Sequence, residues 1–164
     1  MKAPALVEAA CRKGGLLWVA AGERPPLAVW YLWDEGCAYV LSGGGEQQVP
    51  GLAEAPTVLA TARSSDKGGR LVTWPARCAR IAPFSARWDQ LLPMLVKARL
   101  NSPDGPDAPA RWAASSVLTE LRPAGEPVER PGAMPADGGF ARPRPTPATT
   151  PVPLPWVLGR RRTR

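Results

Sequence analysis

The 164-residue sequence predicts a mainly β domain in which about six short antiparallel strands form a small barrel with flanking helices. This prediction depends on two pairs of apolar segments rich in β-branched and aromatic residues, each pair joined by a polar turn that contains glycine. The first pair is 27–33 with 37–42, and the second is 57–63 with 70–81. Each pair has the pattern of a β-hairpin, and closing the sheet into a barrel removes its exposed edges.

Helices are predicted on both sides of this β region. Residues 3–13 carry apolar side chains at helical spacing and stop at two glycines, and residues 15–21 follow as the first strand. Residues 85–100 form a second apolar helical face after a serine N-cap, with Pro93 expected to cause a kink or an early break. Residues 111–121 fit a short helix that runs into a last strand.

The composition changes after residue 122. Residues 123–164 contain 10 of the 21 prolines and end in an arginine-rich run. They offer few large apolar side chains, so burial cannot offset the entropy of ordering them. We therefore expect one domain over residues 1–122 and a disordered Pro/Arg-rich tail over residues 123–164, with local polyproline II character.

The net charge of +7 does not by itself indicate a nucleic-acid partner. Residues 1–122 hold 14 basic and 11 acidic residues, which leaves the predicted domain only weakly basic. Arginine outnumbers lysine 17 to 4, a bias typical of GC-rich coding sequence when alanine, proline and glycine are also abundant. We expect no nucleic-acid partner for the domain, since such a partner needs a strongly basic face with exposed aromatic side chains.

Several classes of chemistry are disfavoured by the residues that the chain lacks. There is no histidine, and the three cysteines are far apart in sequence, so neither a metal site nor a Ser-His or Cys-His nucleophile pair is expected. The longest apolar runs have the length of strands, well below the roughly 20 residues of a membrane-spanning helix. No export signal is evident, and we expect a cytoplasmic protein with reduced, mostly buried thiols.

Four segments are similar to a known family. They are the second strand with its P-x-x-x-W-Y-x-W pattern, the junction YVLSGGGEQQVPGL, the segment APTVLAT and the long strand GGRLVTWPARCARI. In this order, after a helix and a first strand, they resemble the pyridoxamine 5'-phosphate oxidase-like split-barrel family of flavin and deazaflavin oxidoreductases. The resemblance covers about residues 1–122. It implies a homodimer that binds FMN or a deazaflavin in grooves between its subunits and acts on a small substrate that the sequence does not identify.

The resemblance also implies which residues contact the cofactor. The second strand would face the ring system, and the end of the third strand with the turn after it would lie beside the ribityl chain and phosphate. Family members usually carry Arg or Lys in that turn, whereas this chain has Glu46 followed by two glutamines, so cations of the second hairpin are expected to replace them. The implied contact residues are Trp30, Tyr31, Leu32, Leu41, Ser42, Gly43, Gln47, Gln48, Arg63, Lys67 and Arg70.

Three alternatives stay open on the sequence. The glycine run 43–45 fits either a phosphate cradle or an ordinary packed turn. Trp30, Trp33 and Trp74 fit either stacking on a cofactor ring or packing in the core. The whole protein fits either a cofactor-dependent oxidoreductase or a cofactor-less dimeric barrel that acts as a binding or interaction module, with PxxP-like spacing in its tail.

Overall fold

The computed structural model describes residues 4–64, 68–99 and 107–135. Within these ranges the chain forms three helices and seven strands. In chain order they are α1 (Ala5–Lys13), β1 (Leu16–Ala20), β2 (Leu27–Trp30), β3 (Leu32–Asp34), β4 (Cys37–Ser42), β5 (Thr57–Arg63), β6 (Arg70–Ile81), α2 (Ala86–Ala98), α3 (Ala108–Ser115) and β7 (Val117–Pro123).

The seven strands form a single antiparallel sheet in the order β2-β1-β5-β6-β7-β4-β3. The two strands at opposite ends of this order, β2 and β3, belong to one extended segment and are separated only by Tyr31. The sheet must therefore curl until its two ends meet at Tyr31. The prediction of a mainly β, barrel-forming fold with flanking helices is confirmed, and the predicted number of about six strands corresponds to counting β2 and β3 together.

The first predicted hairpin is correct for only half of its length. Leu32–Asp34 pairs with Cys37–Tyr39 as predicted, but Leu27–Trp30 pairs with β1 instead. The switch occurs at Tyr31, whose hydroxyl donates to the Cys11 carbonyl at 2.8 Å and so anchors the segment to α1. A pattern of apolar residues cannot reveal such a change of partner, because both halves of the segment alternate in the same way.

The second hairpin and the helices follow the prediction closely. β5 pairs with β6, and Ser85 caps α2 by accepting a hydrogen bond from the Trp88 backbone N–H at 3.2 Å. The expected early break at Pro93 is wrong, since α2 continues to Ala98. The buried side chains of Trp88, Leu91 and Leu95 hold α2 on the sheet, and this packing outweighs the one backbone hydrogen bond that proline removes.

The barrel interior is filled by alternate side chains of the strands. In β5 every second residue is buried, from Val58 to Ala62, which is the pattern of a strand with one face in a core. Trp74 is 1% exposed there, so packing in the core is the correct interpretation for this tryptophan. One face of α1 closes the interior through Val7, Ala10 and Cys11.

The outer surface of the sheet has two parts. Helices α2 and α3 pack on the outer side of β7, β4 and β3, and we call this part the covered face. The outer side of β1, β5 and β6 carries no helix among the described residues, and we call it the bare face. Register pairs show that its side chains share one side of the sheet: Leu16, Trp18, Ala20, Leu59, Thr61 and Pro75.

The chain continues along the barrel beyond residue 122. β7 extends to Pro123, and the backbone of Val128 and Glu129 bonds to Thr73 of β6. The Glu129 carboxylate also accepts hydrogen bonds from Arg70 at 2.9 Å and from the Thr73 hydroxyl at 2.6 Å. Residues 136–164, which make up most of the predicted tail, lie outside the described residues. No helix in the described part of the chain is long and apolar enough to span a membrane.

Candidate functional site

The loop after β4 is organised by the carboxylate of Glu46. This side chain is fully buried and accepts four hydrogen bonds. Oε1 accepts from the Trp112 indole at 2.9 Å and from Arg111 at 3.0 Å. Oε2 accepts from the Trp30 indole at 3.1 Å and from Arg99 at 3.0 Å. We call these five residues the Glu46 cluster, and they join β2, the loop after β4, the end of α2, and α3.

The Glu46 cluster keeps its carboxylate ionised. Burial acts to raise the pKa of Glu46, but hydrogen bonds from Trp112, Arg111 and Trp30 and the charge of Arg99 together hold the pKa below its ordinary value. The negative charge of Glu46 is therefore already matched by two arginines. Glu46 acts as a structural anchor in this loop.

The glycine run before Glu46 is a packed turn. The Gly43 carbonyl accepts hydrogen bonds from the Glu46 N–H at 2.9 Å and from the Ser116 hydroxyl at 3.1 Å, and the Gly44 carbonyl accepts one from Arg111. A Cβ on Gly44 would lie 2.6 Å from the Ser116 hydroxyl oxygen, so the turn touches the end of α3 directly. Of the two interpretations of residues 43–45, this geometry favours the packed turn over an open phosphate cradle.

The residues predicted on the second strand lie on different sides of the sheet. Trp30 is half-buried on the outer side, where its ring centroid lies 6.4 Å from that of Trp112 and its backbone N–H donates to Gln47 Oε1 at 2.9 Å. Leu32 lies beside it on the covered face, under the helices. Tyr31 belongs to the interior core, where burial raises the pKa of its phenol. The structure therefore brings Trp30, Leu32 and Gln47 together and places Tyr31 apart from them.

The predicted residues at the end of β4 are mostly enclosed. Leu41 is fully buried under α2 and α3, and Ser42 is 8% exposed. Gln48 is exposed, and Gly43 forms the packed turn already described. A direct contact of Leu41 with a cofactor would require the covering helices to move. The cofactor contacts of these residues stay predictions.

Arg63 and Arg70 of the second hairpin are partners in register, but their side chains make different contacts. Arg70 pairs with Glu129 at 2.9 Å, while Arg63 lies with its guanidinium 4.3 Å from the centre of the Trp18 ring. The buried Nε of Arg63 has no hydrogen-bond partner within the described ranges. Lys67, the third predicted cation, lies outside the described residues. Arg63 is thus the predicted cation whose hydrogen-bonding capacity is left incomplete.

Arg63 and Trp18 line a cleft on the bare face, which we call the Trp18–Arg63 cleft. It has a volume of about 430 Å³, within the range of small-molecule sites. A second cavity of about 140 Å³ shares Gly14, Arg63 and Ser64 with it and adds the cation Lys13. The residues that line the larger cleft are Gly14, Gly15, Leu16, Trp18, Arg63, Ser64 and Gly68.

Sequence reasoning found Arg63 but missed Trp18 and Lys13. β1 and β5 are adjacent in the sheet although about forty residues separate them in the chain, and Trp18 is paired with Thr61, two residues before Arg63. The spacing within either strand contains no information about this pairing. The one indication of this site in the sequence was the position of Trp18 in β1, because strand alternation places its side chain on the outer side of the sheet.

The cysteines offer no activated nucleophile. Burial raises the pKa of Cys11 to about 12 and that of Cys78 to about 11. Burial also raises the pKa of Cys37, with the nearby Glu120 charge acting in the same direction. All three are free thiols that stay protonated near neutral pH. Among the described residues there is no group of three or more acidic, cysteine or histidine side chains that could hold a metal ion.

Comparison with solved structures identifies the architecture. No family model matches the sequence, and no match was found among curated proteins. HutZ, the heme storage protein from Vibrio cholerae, superimposes with a TM-score of 0.54 at 13% identity, covering 77% of this chain and 93% of that one. The chain has the split-barrel fold. This confirms the fold that the sequence resemblance implied.

Two further structures were found at similar identities. A putative pyridoxamine 5'-phosphate oxidase from Listeria innocua has a TM-score of 0.49 at 14% identity, with 74% of this chain and 94% of that one covered. The flavocytochrome Anf3 from Azotobacter vinelandii has a TM-score of 0.45 at 14% identity, with 92% of this chain and 86% of that one covered. At such identities the likeness concerns the fold, and the function has to be argued from this chain's own residues.

Proposed function

We propose that this split barrel binds a flavin or deazaflavin cofactor in the Trp18–Arg63 cleft and serves as an oxidoreductase for a small substrate. The observation that carries the proposal is the cleft itself, where an aromatic ring and an incompletely hydrogen-bonded guanidinium lie together on the bare face. Flavins and deazaflavins combine a flat aromatic ring system with an anionic phosphate arm. An aromatic wall and a cation match both parts of such a molecule.

Different residues of the cleft would contact the ring system and the phosphate arm of the cofactor. Trp18 and Leu16 provide the apolar wall, and Leu16 is paired in register with Trp30, which extends the aromatic surface toward the Glu46 cluster. Arg63 and Lys13 provide positive charge at the smaller adjoining cavity, where a phosphate would lie. Ser64 lies between the two cavities and adds a hydroxyl group.

A bound flavin-type cofactor would itself supply the electron or hydride transfer. The protein's contribution would be to hold the ring against the sheet and to keep water from one of its faces. The absence of histidine from the sequence is compatible with this division, because no side-chain general base is needed for hydride transfer from a cofactor.

A homodimer is part of the proposal. The bare face exposes Leu16 by 52% and Leu59 by 44%, and these apolar side chains lie on a sheet surface that a second copy could cover. In such a dimer the partner's sheet would close the open side of the cleft, so each cofactor would lie between two chains. A cytoplasmic location is also proposed, since it would keep the three free thiols reduced.

The test is a visible absorption titration of the purified protein with FMN and with a deazaflavin cofactor. We expect a saturable spectral shift with one of them, and an Arg63→Gln variant should bind it roughly ten-fold more weakly because a charged hydrogen bond is lost. Arg80→Gln is the control, since Arg80 is another strand arginine, exposed to solvent, that does not line the cleft. If Arg63→Gln binds the cofactor as tightly as the wild type does, the cofactor site lies outside the Trp18–Arg63 cleft.

The Glu46 cluster favours a second candidate, a cofactor-less dimeric barrel that acts as a binding or interaction module. In the position where the family resemblance implies a phosphate, Arg99 and Arg111 are both engaged by Glu46 and the glycine turn is closed on α3. No spectral shift with either cofactor, together with a dimer in sedimentation equilibrium, would establish this candidate over the first.

A further inference from the structure

Two arginines face each other across the β6–β7 pair. Arg77 and Arg122 are directly opposite in register, and both are exposed. Like charges in this position destabilise a sheet, since the side chains of opposed residues lie only about 5 Å apart at their Cβ atoms. An arrangement that costs stability at this site calls for a compensating interaction.

Only one of the two arginines has a partner in the described part of the chain. Arg122 pairs with Glu120 at 2.8 Å, and Glu120 is itself buried, with Oε2 accepting a hydrogen bond from the Tyr39 hydroxyl at 3.0 Å. The Arg77 side chain has no hydrogen bond or ion pair with any described residue. The charge of Arg77 is therefore uncompensated, whereas the guanidinium group of Arg122 is held by its ion pair with Glu120.

The arginine pair opens onto a cavity of about 510 Å³. The remaining wall is formed by the short arm that follows β7, Pro123, Ala124 and Gly125, which is tied to β6 by a hydrogen bond from the Ala124 N–H to the Pro75 carbonyl at 2.9 Å. Gly125 has a φ of +101°, a conformation that side-chain-bearing residues rarely adopt. The cavity thus has a cationic wall and an uncharged wall of small residues.

We propose that this cavity is a binding site for a small organic anion. Its phosphate or carboxylate group would lie between the guanidinium groups of Arg77 and Arg122, where it offsets their repulsion and gives Arg77 the partner it lacks. The body of the ligand would lie against Pro123 and Ala124. At about 510 Å³ the cavity is larger than an inorganic ion requires, so an organic molecule is the better match.

This site is separate from the Trp18–Arg63 cleft and does not depend on the proposed cofactor. Arg77 is paired with Thr57 at one end of β5, whereas Arg63 is at the other end. Six residues of extended strand place the two positions about 20 Å apart. A ligand of ordinary size in one site therefore leaves the other open.

The test is isothermal titration calorimetry with phenyl phosphate and, separately, with benzoate, at an ionic strength fixed by sodium chloride. We expect saturable binding of at least one of them at a site that Arg77→Gln weakens roughly ten-fold and Arg80→Gln leaves unchanged. A second binding step that Arg63→Gln weakens and Arg77→Gln does not would belong to the Trp18–Arg63 cleft. Binding of phenyl phosphate alone would identify a phosphate ligand, and binding of benzoate alone a carboxylate ligand. Binding of both would identify a general oxyanion site.

Two results would overturn the proposal. One is the absence of saturable binding for both compounds. The other is equal weakening in Arg77→Gln and Arg80→Gln, which would indicate general charge attraction and no defined site. Since Arg77 is exposed and its side chain has no hydrogen bond or ion pair with the described residues, its variant should remain folded. If it does not, amide chemical shifts of the wild-type protein decide, because a ligand in this cavity must move the signals of residues 122 and 124–125.

Discussion

The covered face and the bare face of the barrel differ in how completely their polar side chains are paired. On the covered face, Glu46 and Glu120 are buried carboxylates, and each is held by an arginine together with an aromatic donor. On the bare face, Arg63 has a buried Nε without a partner among the described residues, and Arg77 lacks an ion pair there. The polar groups of the covered face are paired with the chain's own side chains, whereas on the bare face two arginines can still bind a ligand.

The difference separates arginines whose charge is matched by a buried carboxylate from arginines that are available for ligands. Arg122 belongs to both groups, because it pairs with Glu120 while half of its side chain stays exposed. Arginine is abundant throughout the chain, so its presence in a segment says little. What distinguishes Arg99 and Arg111 from Arg63 is the carboxylate beside them, since a buried ion pair is retained only when the geometry and the hydrogen bonds are complete. Ligand binding is therefore expected at Arg63 and Arg77, whereas Arg70 is already paired with Glu129.

The largest effect is expected from breaking the covered face at Glu46. Glu46→Gln leaves two arginines without their charge partner and should reduce the free energy of unfolding by about 3 kcal/mol, as for other buried ion pairs that lose one member. Urea denaturation measures this as a lower midpoint. The control is Glu23→Gln, an exposed glutamate outside the strands, which should leave the midpoint unchanged. Equal midpoints for the wild type and Glu46→Gln would contradict the structural role of the cluster.

The same variant has a pH signature. The folded-state pKa of Glu46 is depressed, so the stability that its ionisation contributes is complete above the ordinary glutamate pKa of about 4.3 and is lost as pH falls through the lower folded value. The difference in stability between the wild type and Glu46→Gln should therefore be constant from pH 7 to pH 5 and shrink below that range. A difference that is as large at pH 3 as at pH 7 would rule out ionisation as its cause.

On the bare face, the expected effect is on association. Leu59 lies at the centre of the exposed apolar strip, paired with Ala20 on one side and Pro75 on the other. In the proposed homodimer, Leu59→Lys would place two charges in a two-fold interface, so the affinity of that dimer should fall about a hundred-fold. Sedimentation equilibrium measures this. Phe84→Lys is the control, because Phe84 is 80% exposed but lies before α2, away from this face, and should leave the affinity unchanged.

Much of the fold could be predicted because it is encoded locally. The bounds of β5 and β6 agree with the segments 57–63 and 70–81, and the N-cap of α2 is the predicted serine. These elements carry their periodicity and turn residues within a few positions of sequence. The change of partner at Tyr31 was missed because it depends on which distant strand each half meets.

The candidate site was harder to predict for the same reason. Trp18 and Arg63 meet only because β1 lies beside β5, and Arg77 meets Arg122 only because β6 lies beside β7. The role of Glu46 was also missed, since its four donors come from segments between 16 and 66 residues away in the chain. Sequence spacing predicts contacts within an element, whereas these sites consist of contacts between elements.

The smallest expected effect of a substitution is at the glycine turn, residues 43–45, which packs against α3 beside the covered face. Gly44 has a φ of +56°, and a Cβ there would lie 2.7 Å from the Ser115 carbonyl carbon, so Gly44→Ala must push the turn away from α3. We expect a loss of about 2 kcal/mol in the free energy of unfolding, from backbone strain and overpacking together. Gly22→Ala is the matched control, because Gly22 has a φ of +63° but open space around its Cβ position, and it should cost only the backbone part, about 1 kcal/mol. Equal losses in urea denaturation would show that the turn does not press on α3, and the Glu46 cluster would then be held by its hydrogen bonds alone.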